Sequence, residues 1–211
     1  MDNFSIIDYL QNNFNTILDH LGTFAFAISG IRLASSKKFD IFGAFVVGFI
    51  TAIGGGTVRD LLIGVTPFWM INSSYLIVTG IALIAYLFFR KLIERMNITI
   101  FIFDAIGLGL FTVIGIEKSL DANFSYWVAI IMGMITGSVG GIIRDIAINE
   151  VPLIFRRDFY AIACIIGGVI YLICDKIGLT SPVTSSITAA TVILLRVVAN
   201  KYHIQLPTVK E

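Results

Sequence analysis

The 211-residue sequence predicts an all-α integral membrane protein, with seven transmembrane helices arranged as two inverted three-helix repeats plus one extra C-terminal helix. Three observations predict it. The chain is 57% hydrophobic, has a mean hydropathy of +0.91 and carries only 14% charged residues, against about 25% in a soluble domain. Apolar stretches long enough to cross a bilayer recur along it. Finally, a block of the first half returns in the second half at one fixed shift, without a gap.

The apolar spans fall at roughly 17–35, 40–64, 74–90, 99–117, 125–149, 159–175 and 182–199. An odd number of crossings puts the two ends on opposite sides, and the distribution of Lys and Arg chooses which, because cytoplasmic loops carry their excess. With the N-terminus outside, eleven basic residues fall on the inner side: Arg32, Lys37, Lys38, Arg90, Lys91, Arg95, Arg156, Arg157, Arg196, Lys201 and Lys210. Only Lys118 and Lys176 fall outside, while Arg59 and Arg144 lie within spans. Residues 1–16 are then an extracytoplasmic segment and residues 200–211 a cytoplasmic tail. Residues 1–16 contain Asp2 and Asp8 but no Lys, Arg or small-residue cleavage site, so the first span is expected to stay in the mature protein. Trp69, Tyr75, Tyr126 and Trp127 collect near the expected outer interface, where amphipathic rings settle.

The repeat pairs repeat 1 (17–98) with repeat 2 (99–177), leaving 178–199 as the extra helix. At the fixed shift, Asp19 meets Asp104, Gly22 meets Gly107, Phe26 meets Phe111, Gly30 meets Gly115 and Gly48 meets Gly133. Thr51 meets Thr136, Gly55-Gly56 meets Gly140-Gly141, Arg59-Asp60 meets Arg144-Asp145, Pro67 meets Pro152, and Tyr75 meets Tyr160. Three helices per repeat force the second copy to enter from the other side, the inverted architecture of many transport proteins.

Gly54, Gly55, Gly56, Gly140 and Gly141 sit near the middles of the second and fifth spans. Glycine weakens a helix by about 1 kcal/mol relative to alanine, so one reading is a pair of hinges whose broken turns expose carbonyls at the midplane. The other is close helix packing, which Gly133 and Gly137 on the fifth span also suggest. Arg59 and Arg144 each cost about 2.5–3.5 kcal/mol to insert at the bilayer centre, so both need partners. Their neighbours Asp60 and Asp145 do not face them on an ideal helix. The expected partners are Asp19 for Arg59 and Asp104 for Arg144, matched in depth by the inversion.

Other chemistries find little support. A formal charge of +1 provides no basic field for nucleic acid. The stretch GGGTVRD lacks the terminal Lys-Ser/Thr of a phosphate-binding loop and follows no strand, and no catalytic triad or metal-ligand set is visible. An enzyme is not expected. Asp19 and Asp104, near opposite faces, could not share a proton. Cys164 and Cys174 lie on one span, about 15 Å apart along a helix and beyond disulfide reach. His20 and His203 are isolated.

The paired elements "GGTVRD" and "GGIIRD", set in three-plus-three-plus-one hydrophobic spans, resemble the bacterial branch of the trimeric intracellular cation (TRIC) channel family, whose relatives include small bacterial proteins labelled glycine transporter. The resemblance covers about residues 17–199. It implies a multi-pass protein of the bacterial inner membrane, surrounded by membrane lipids. It also implies a homotrimer with an hourglass pore in each protomer, formed by the kinked second and fifth helices and passing potassium and other monovalent cations such as sodium. Carried over by position, the pore hinges are Gly54, Gly55, Gly56, Gly140 and Gly141, and Arg59, Asp60, Arg144 and Asp145 are the pore-side charges. No cofactor and no tightly held metal are implied, only a transient monovalent cation at the midplane. The Lys-Glu-Val motif of the animal members is missing; Glu117-Lys118 stands nearby in reversed order, so their phosphoinositide regulation does not transfer.

Two readings therefore stand. A channel would use midplane carbonyls and the hydroxyls of Thr51 and Thr136 as oxygen ligands for a partly dehydrated cation, the arginines held in ion pairs. A secondary transporter of glycine or another small zwitterion would turn half-helix N-termini or Arg59 toward a carboxylate.

Overall fold

The computed structural model describes residues 13–95, 98–156 and 159–204. Most of the expected extracytoplasmic segment, and the end of the expected tail, lie outside these residues. Every regular element described is helical: α1 (Phe14–Ser36), α2 (Ile41–Leu62), α3 (Phe68–Ile71), α4 (Ser74–Arg95), α5 (Thr99–Asp121), α6 (Tyr126–Ala147), α7 (Leu153–Arg156), α8 (Ala161–Lys176) and α9 (Ser181–Lys201). Helices are what so apolar a chain needs, because lipid offers no partner for an exposed N–H or C=O.

Six helices, α1, α2, α4, α5, α6 and α9, are long and apolar enough to cross a membrane. The sixth expected span is shorter than predicted. Its helix α8 has 16 residues, about 24 Å at helical rise, against a hydrocarbon thickness of about 30 Å. Leu153–Arg156 before it form α7, and Tyr160 immediately precedes it. Helices α3 and α7, of four residues each, were not expected, although each directly follows one of the repeated prolines, Pro67 and Pro152.

Helix ends follow from local chemistry. Asp40 caps α2, its side chain accepting from the Gly43 N–H at 2.7 Å. Helix α2 closes on Gly64 at φ 78°, and α6 closes at the equivalent position of the second repeat, Asn149, at φ 59°. Glycine adopts this left-handed conformation freely and asparagine tolerates it. Beyond each, a backbone bond runs back into the last turn, Val65 to Asp60 at 2.9 Å and Glu150 to Asp145 at 2.8 Å.

Helices α1 and α5 form the centre, with 67% and 72% of their apolar windows buried. They run antiparallel, since the start of α1 and the end of α5 line one cavity and their other ends line another. Phe26 and Phe111 meet edge to face at 5.2 Å where they cross. The Phe26 ring fills the space that a Cβ on Gly107 would occupy, and Phe111 crowds Gly22 in the same way. Helix α4 is peripheral, only 17% buried, and turns Ile77, Ile81, Ile84 and Phe88 outward. Trp127 is exposed, whereas Tyr75 is buried. Cys164 and Cys174 are free and buried.

Candidate functional site

The matched glycines bring α2 and α6 into backbone contact. A Cβ on Gly55 would overlap the Thr136 carbonyl oxygen, and a Cβ on Gly140 would overlap the Thr51 carbonyl oxygen. Moving both partners of one contact by the repeat period gives the other. Gly54 lies on the same crossing, where a Cβ would stand 3.5 Å from the Gly140 Cα. The expected breaks are absent: α2 is helical from Ile41 to Leu62 and α6 from Tyr126 to Ala147. Close packing accounts for this, because small residues let two backbones touch without unwinding either. Gly56 and Gly141 abut the Phe68 ring and the Tyr160 hydroxyl instead.

The threonine hydroxyls are also differently employed. Thr51 donates to the Val47 carbonyl at 2.5 Å and Thr136 to the Met132 carbonyl at 2.6 Å, each one turn back along its own helix. Their oxygens lie against Gly30 of α1 and Gly115 of α5. Only their backbone carbonyls face the α2–α6 crossing. The reason is that a threonine in a dry helix satisfies its hydroxyl with the carbonyl four residues back.

Arg144 is wholly buried. Its Nη1 lies 2.6 Å from Asp104 Oδ1 and 2.7 Å from the Ser29 hydroxyl, and its Nε lies 2.8 Å from Asp145 Oδ1. One side chain thus ties α6 to α5 and α1. Asp104 also receives Arg196 of α9 at 3.5 Å and the Tyr160 hydroxyl at 3.3 Å. Arg196 stacks in turn over the Tyr160 and Phe101 rings, at 4.6 and 5.1 Å.

The first repeat departs from this plan. Arg59 is paired with Asp60, Nη2 to Oδ1 at 2.7 Å, and makes no ion pair with Asp19. Asp19 instead accepts from the Tyr75 hydroxyl at 2.6 Å, and the Tyr75 ring is buried against Phe68 and Ile53. His20 stacks on the Tyr75 ring at 5.1 Å and reaches the Ser74 hydroxyl at 2.8 Å. The rule that adjacent side chains diverge fails at both Arg-Asp sites for one reason. The second oxygens of Asp60 and Asp145 accept the N–H of Phe68 and Leu153, at 2.8 and 2.9 Å, beyond the turn that follows each helix. Each carboxylate is held at the helix end, and the long arginine curls to meet it.

Sequence reasoning missed Arg196, Ser29 and Lys118. Arg196 counts as a loop charge in the sequence although it lies inside the last span, which was the available signal. Lys118 is half-buried with its ammonium 5.1 Å from the Phe68 ring, while Arg59 approaches the same ring at 5.7 Å. Cavities lie at the two ends of the α1–α5 pair. One, of about 220 Å³, is lined by Asp19, Tyr75, Glu117, Lys118 and Asp121. The other, of about 370 Å³, is lined by Lys37, Arg144, Asp145 and Glu150. Lys37 and Glu150 are joined at 2.5 Å. Among the described residues no group of three His, Cys, Asp or Glu could hold a metal ion.

Comparison with known proteins gives a consistent picture. A family described as Glycine transporter matches twice, at residues 16–91 and 101–176, the second match displaced by the period of the repeat. A UPF0126 membrane protein of Vibrio cholerae is 41% identical over 194 residues, 91% of this chain and 81% of that protein. The UPF0126 inner membrane protein YadS of Escherichia coli is 38% identical over 90% of this chain and 94% of its own. Among solved structures, the TRIC trimeric intracellular cation channel orthologue from Rhodobacter sphaeroides superposes with a TM-score of 0.86 at 32% identity, covering 91% of this chain and 100% of that one. A structure described in connection with conductance through TRIC cation channels superposes at 0.82 with 36% identity, covering 93% and 97%.

Proposed function

Since the chain belongs to the bacterial branch of the TRIC channel family, the family described as Glycine transporter, we propose that it is a cation channel of the inner membrane, permeable to potassium and other monovalent cations. Its pathway runs within each protomer along α2 and α6, and three protomers assemble together. The observation that carries this reading is the reciprocal contact of Gly55 with Thr136 and of Gly140 with Thr51 near the middles of α2 and α6, with a charge-lined cavity at either end of the α1–α5 pair packed against them. Those two cavities and the crossing fit the outline of an hourglass. At its waist Gly55 and Gly140 face the carbonyl oxygens of Thr136 and Thr51, with the Phe26 and Ile143 side chains packed alongside, so a small separation of α2 from α6 turns carbonyl oxygens toward an ion.

The architecture behind it is two inverted repeats, residues 17–98 and 99–177, with α9 appended, α8 serving as a short seventh crossing, the N-terminus outside and the C-terminus cytoplasmic. Support comes from the antiparallel course of α1 and α5 and from contacts that stay paired when both partners move by the repeat period, the pattern a two-fold relation produces. The buried arginines are engaged by Asp60, Asp104 and Asp145, so they oppose a passing cation less than bare guanidinium groups would.

A second reading, a secondary transporter of glycine or a similar zwitterion, draws on one observation: Arg144 Nη2 is buried without a hydrogen-bond partner and could meet a carboxylate. Recording from the purified protein in planar bilayers separates the two. Unitary current steps carried by potassium support the channel; saturable glycine uptake into proteoliposomes without such steps overturns it.

A further inference from the structure

Beside the cavity on the Asp19 side lies a second one of about 540 Å³ among α5, α6, α8 and α9, lined by Glu117, Asp121, Tyr126, Tyr171, Asp175 and Ser181. Glu117 and Asp121 line both cavities. Glu117 is 6% exposed. Its Oε1 accepts from the hydroxyls of Ser185, at 2.5 Å, and Ser181, at 3.3 Å. Its Oε2 is buried with no hydrogen bond of good geometry, although the Tyr171 hydroxyl interacts with the same carboxylate, and no salt bridge reaches the side chain among the described residues. The adjacent Lys118 turns away to the Phe68 ring.

A buried carboxylate with one oxygen unpaired is costly, and structures retain such a group where something else meets it. The polar groups lining its cavity are rich in oxygen: carboxylates at Asp121 and Asp175, hydroxyls of Ser181, Tyr126 and Tyr171, and the amides of Asn15 and Asn123, beside the apolar Leu120 and Phe124. Hard cations choose oxygen ligands. The absence of a three-ligand metal group among the described residues argues against a dedicated divalent centre and for a loosely held ion that keeps part of its water. We propose that Glu117, with Ser181 and Ser185, forms a monovalent-cation binding site beside the outer vestibule, taking an alkali cation such as potassium. The site would hold ions next to the pathway, off its axis. This deepens the channel reading and rests on it for where the ions go next; binding at Glu117 can be tested without it.

The test is thermal unfolding of the purified protein in potassium or rubidium chloride against N-methyl-D-glucamine chloride at equal ionic strength. The melting temperature should rise saturably with the alkali cation, by about 3–6 °C at a tenfold excess over the dissociation constant. Glu117→Gln should abolish the rise, whereas Glu94→Gln, at an exposed ion pair with Arg90, should keep it. Ser185→Ala leaves the carboxylate in place and should shift the midpoint to higher cation concentration, which keeps the test decisive if Glu117→Gln misfolds. A wild-type melting temperature indifferent to the cation, or a full response surviving in Glu117→Gln or Ser185→Ala, overturns the site. Rubidium flux in proteoliposomes is read alongside: half-maximal flux at higher rubidium in Glu117→Gln supports the link to the pathway. A Glu117-dependent thermal response in a protein that passes no rubidium would retain the site and reject the channel.

Discussion

Replacing Arg144 by methionine should cost clearly more than replacing Arg59 by methionine, although the two occupy equivalent positions in the repeat. Both changes strip an adjacent aspartate of its guanidinium, Asp145 in one case and Asp60 in the other. Only Arg144 also binds Asp104, at 2.6 Å, and Ser29, at 2.7 Å. The shared loss cancels in the comparison. What remains is the bond to Asp104, worth about 1.5–3 kcal/mol as a charged hydrogen bond; the neutral Ser29 contact adds less. For a chain of this size that corresponds to an extra fall in melting temperature of roughly 3–12 °C, read by size-exclusion chromatography of detergent-solubilised protein after heating. Asp104 is not stranded entirely, because Arg196 and Tyr160 stay beside it. The same neighbours change the outcome of a charge exchange. Asp104→Arg with Arg144→Asp would rebuild a simple pair, but here the new arginine would face Arg196, so the double variant should recover little stability until Arg196→Met is added. Equal falls for Arg144→Met and Arg59→Met, or full recovery in the exchange alone, would refute the argument from these contacts.

Gly55→Val and Gly140→Val should lower the melting temperature alike and suppress potassium flux, because each places carbon on a carbonyl oxygen at the crossing and overpacking costs about 1–3 kcal/mol. Gly80→Ala, with nothing within 4 Å of the added Cβ, should be neutral or gain up to about 1 kcal/mol; parity between the crossing variants and Gly80→Ala would remove the close-approach account. A reporter fused after Glu211 should lie in the cytoplasm and a cysteine at Asp2 should react with an impermeant reagent from outside, and exchanged accessibilities would reverse the orientation. Lys37→Ala should change thermal stability by less than about 1 kcal/mol, as its pair with Glu150 is partly exposed, yet shift potassium conductance at low salt more than at high salt; a salt-independent effect would exclude electrostatics at that mouth.

The helices were legible because lipid imposes one rule on backbone polar groups, and the Asp104–Arg144 contact was legible because a buried charge demands a partner. Three features were not. The Asp19–Arg59 contact was expected by symmetry, yet the equivalent of Ser29 in the second repeat is Ile114, so the hydroxyl that helps draw Arg144 across to Asp104 has no counterpart for Arg59; the tyrosine bond to the aspartate is common to both repeats. The pairing of adjacent Arg and Asp could not be read from helix geometry, since it depends on an amide further along the chain, past a turn. The glycines left hinge and packing open because both need the same missing side chain; only the position of the facing carbonyl decides between them.

The two cavities at opposite ends of the α1–α5 pair are unlike in charge. At one end three carboxylates, Asp19, Glu117 and Asp121, stand against one ammonium, Lys118. At the other, Lys37 and Arg144 balance Asp145 and Glu150. On the proposed channel reading, an ion stream through such a molecule is electrically lopsided: cations are enriched at the acidic mouth and not at the neutral one, so current driven inward from the Asp19 side should exceed current driven the opposite way at equal voltage. The rectification should fade as salt rises toward about 1 M, where the screening length falls to about 3 Å and the acidic mouth no longer gathers ions from a distance.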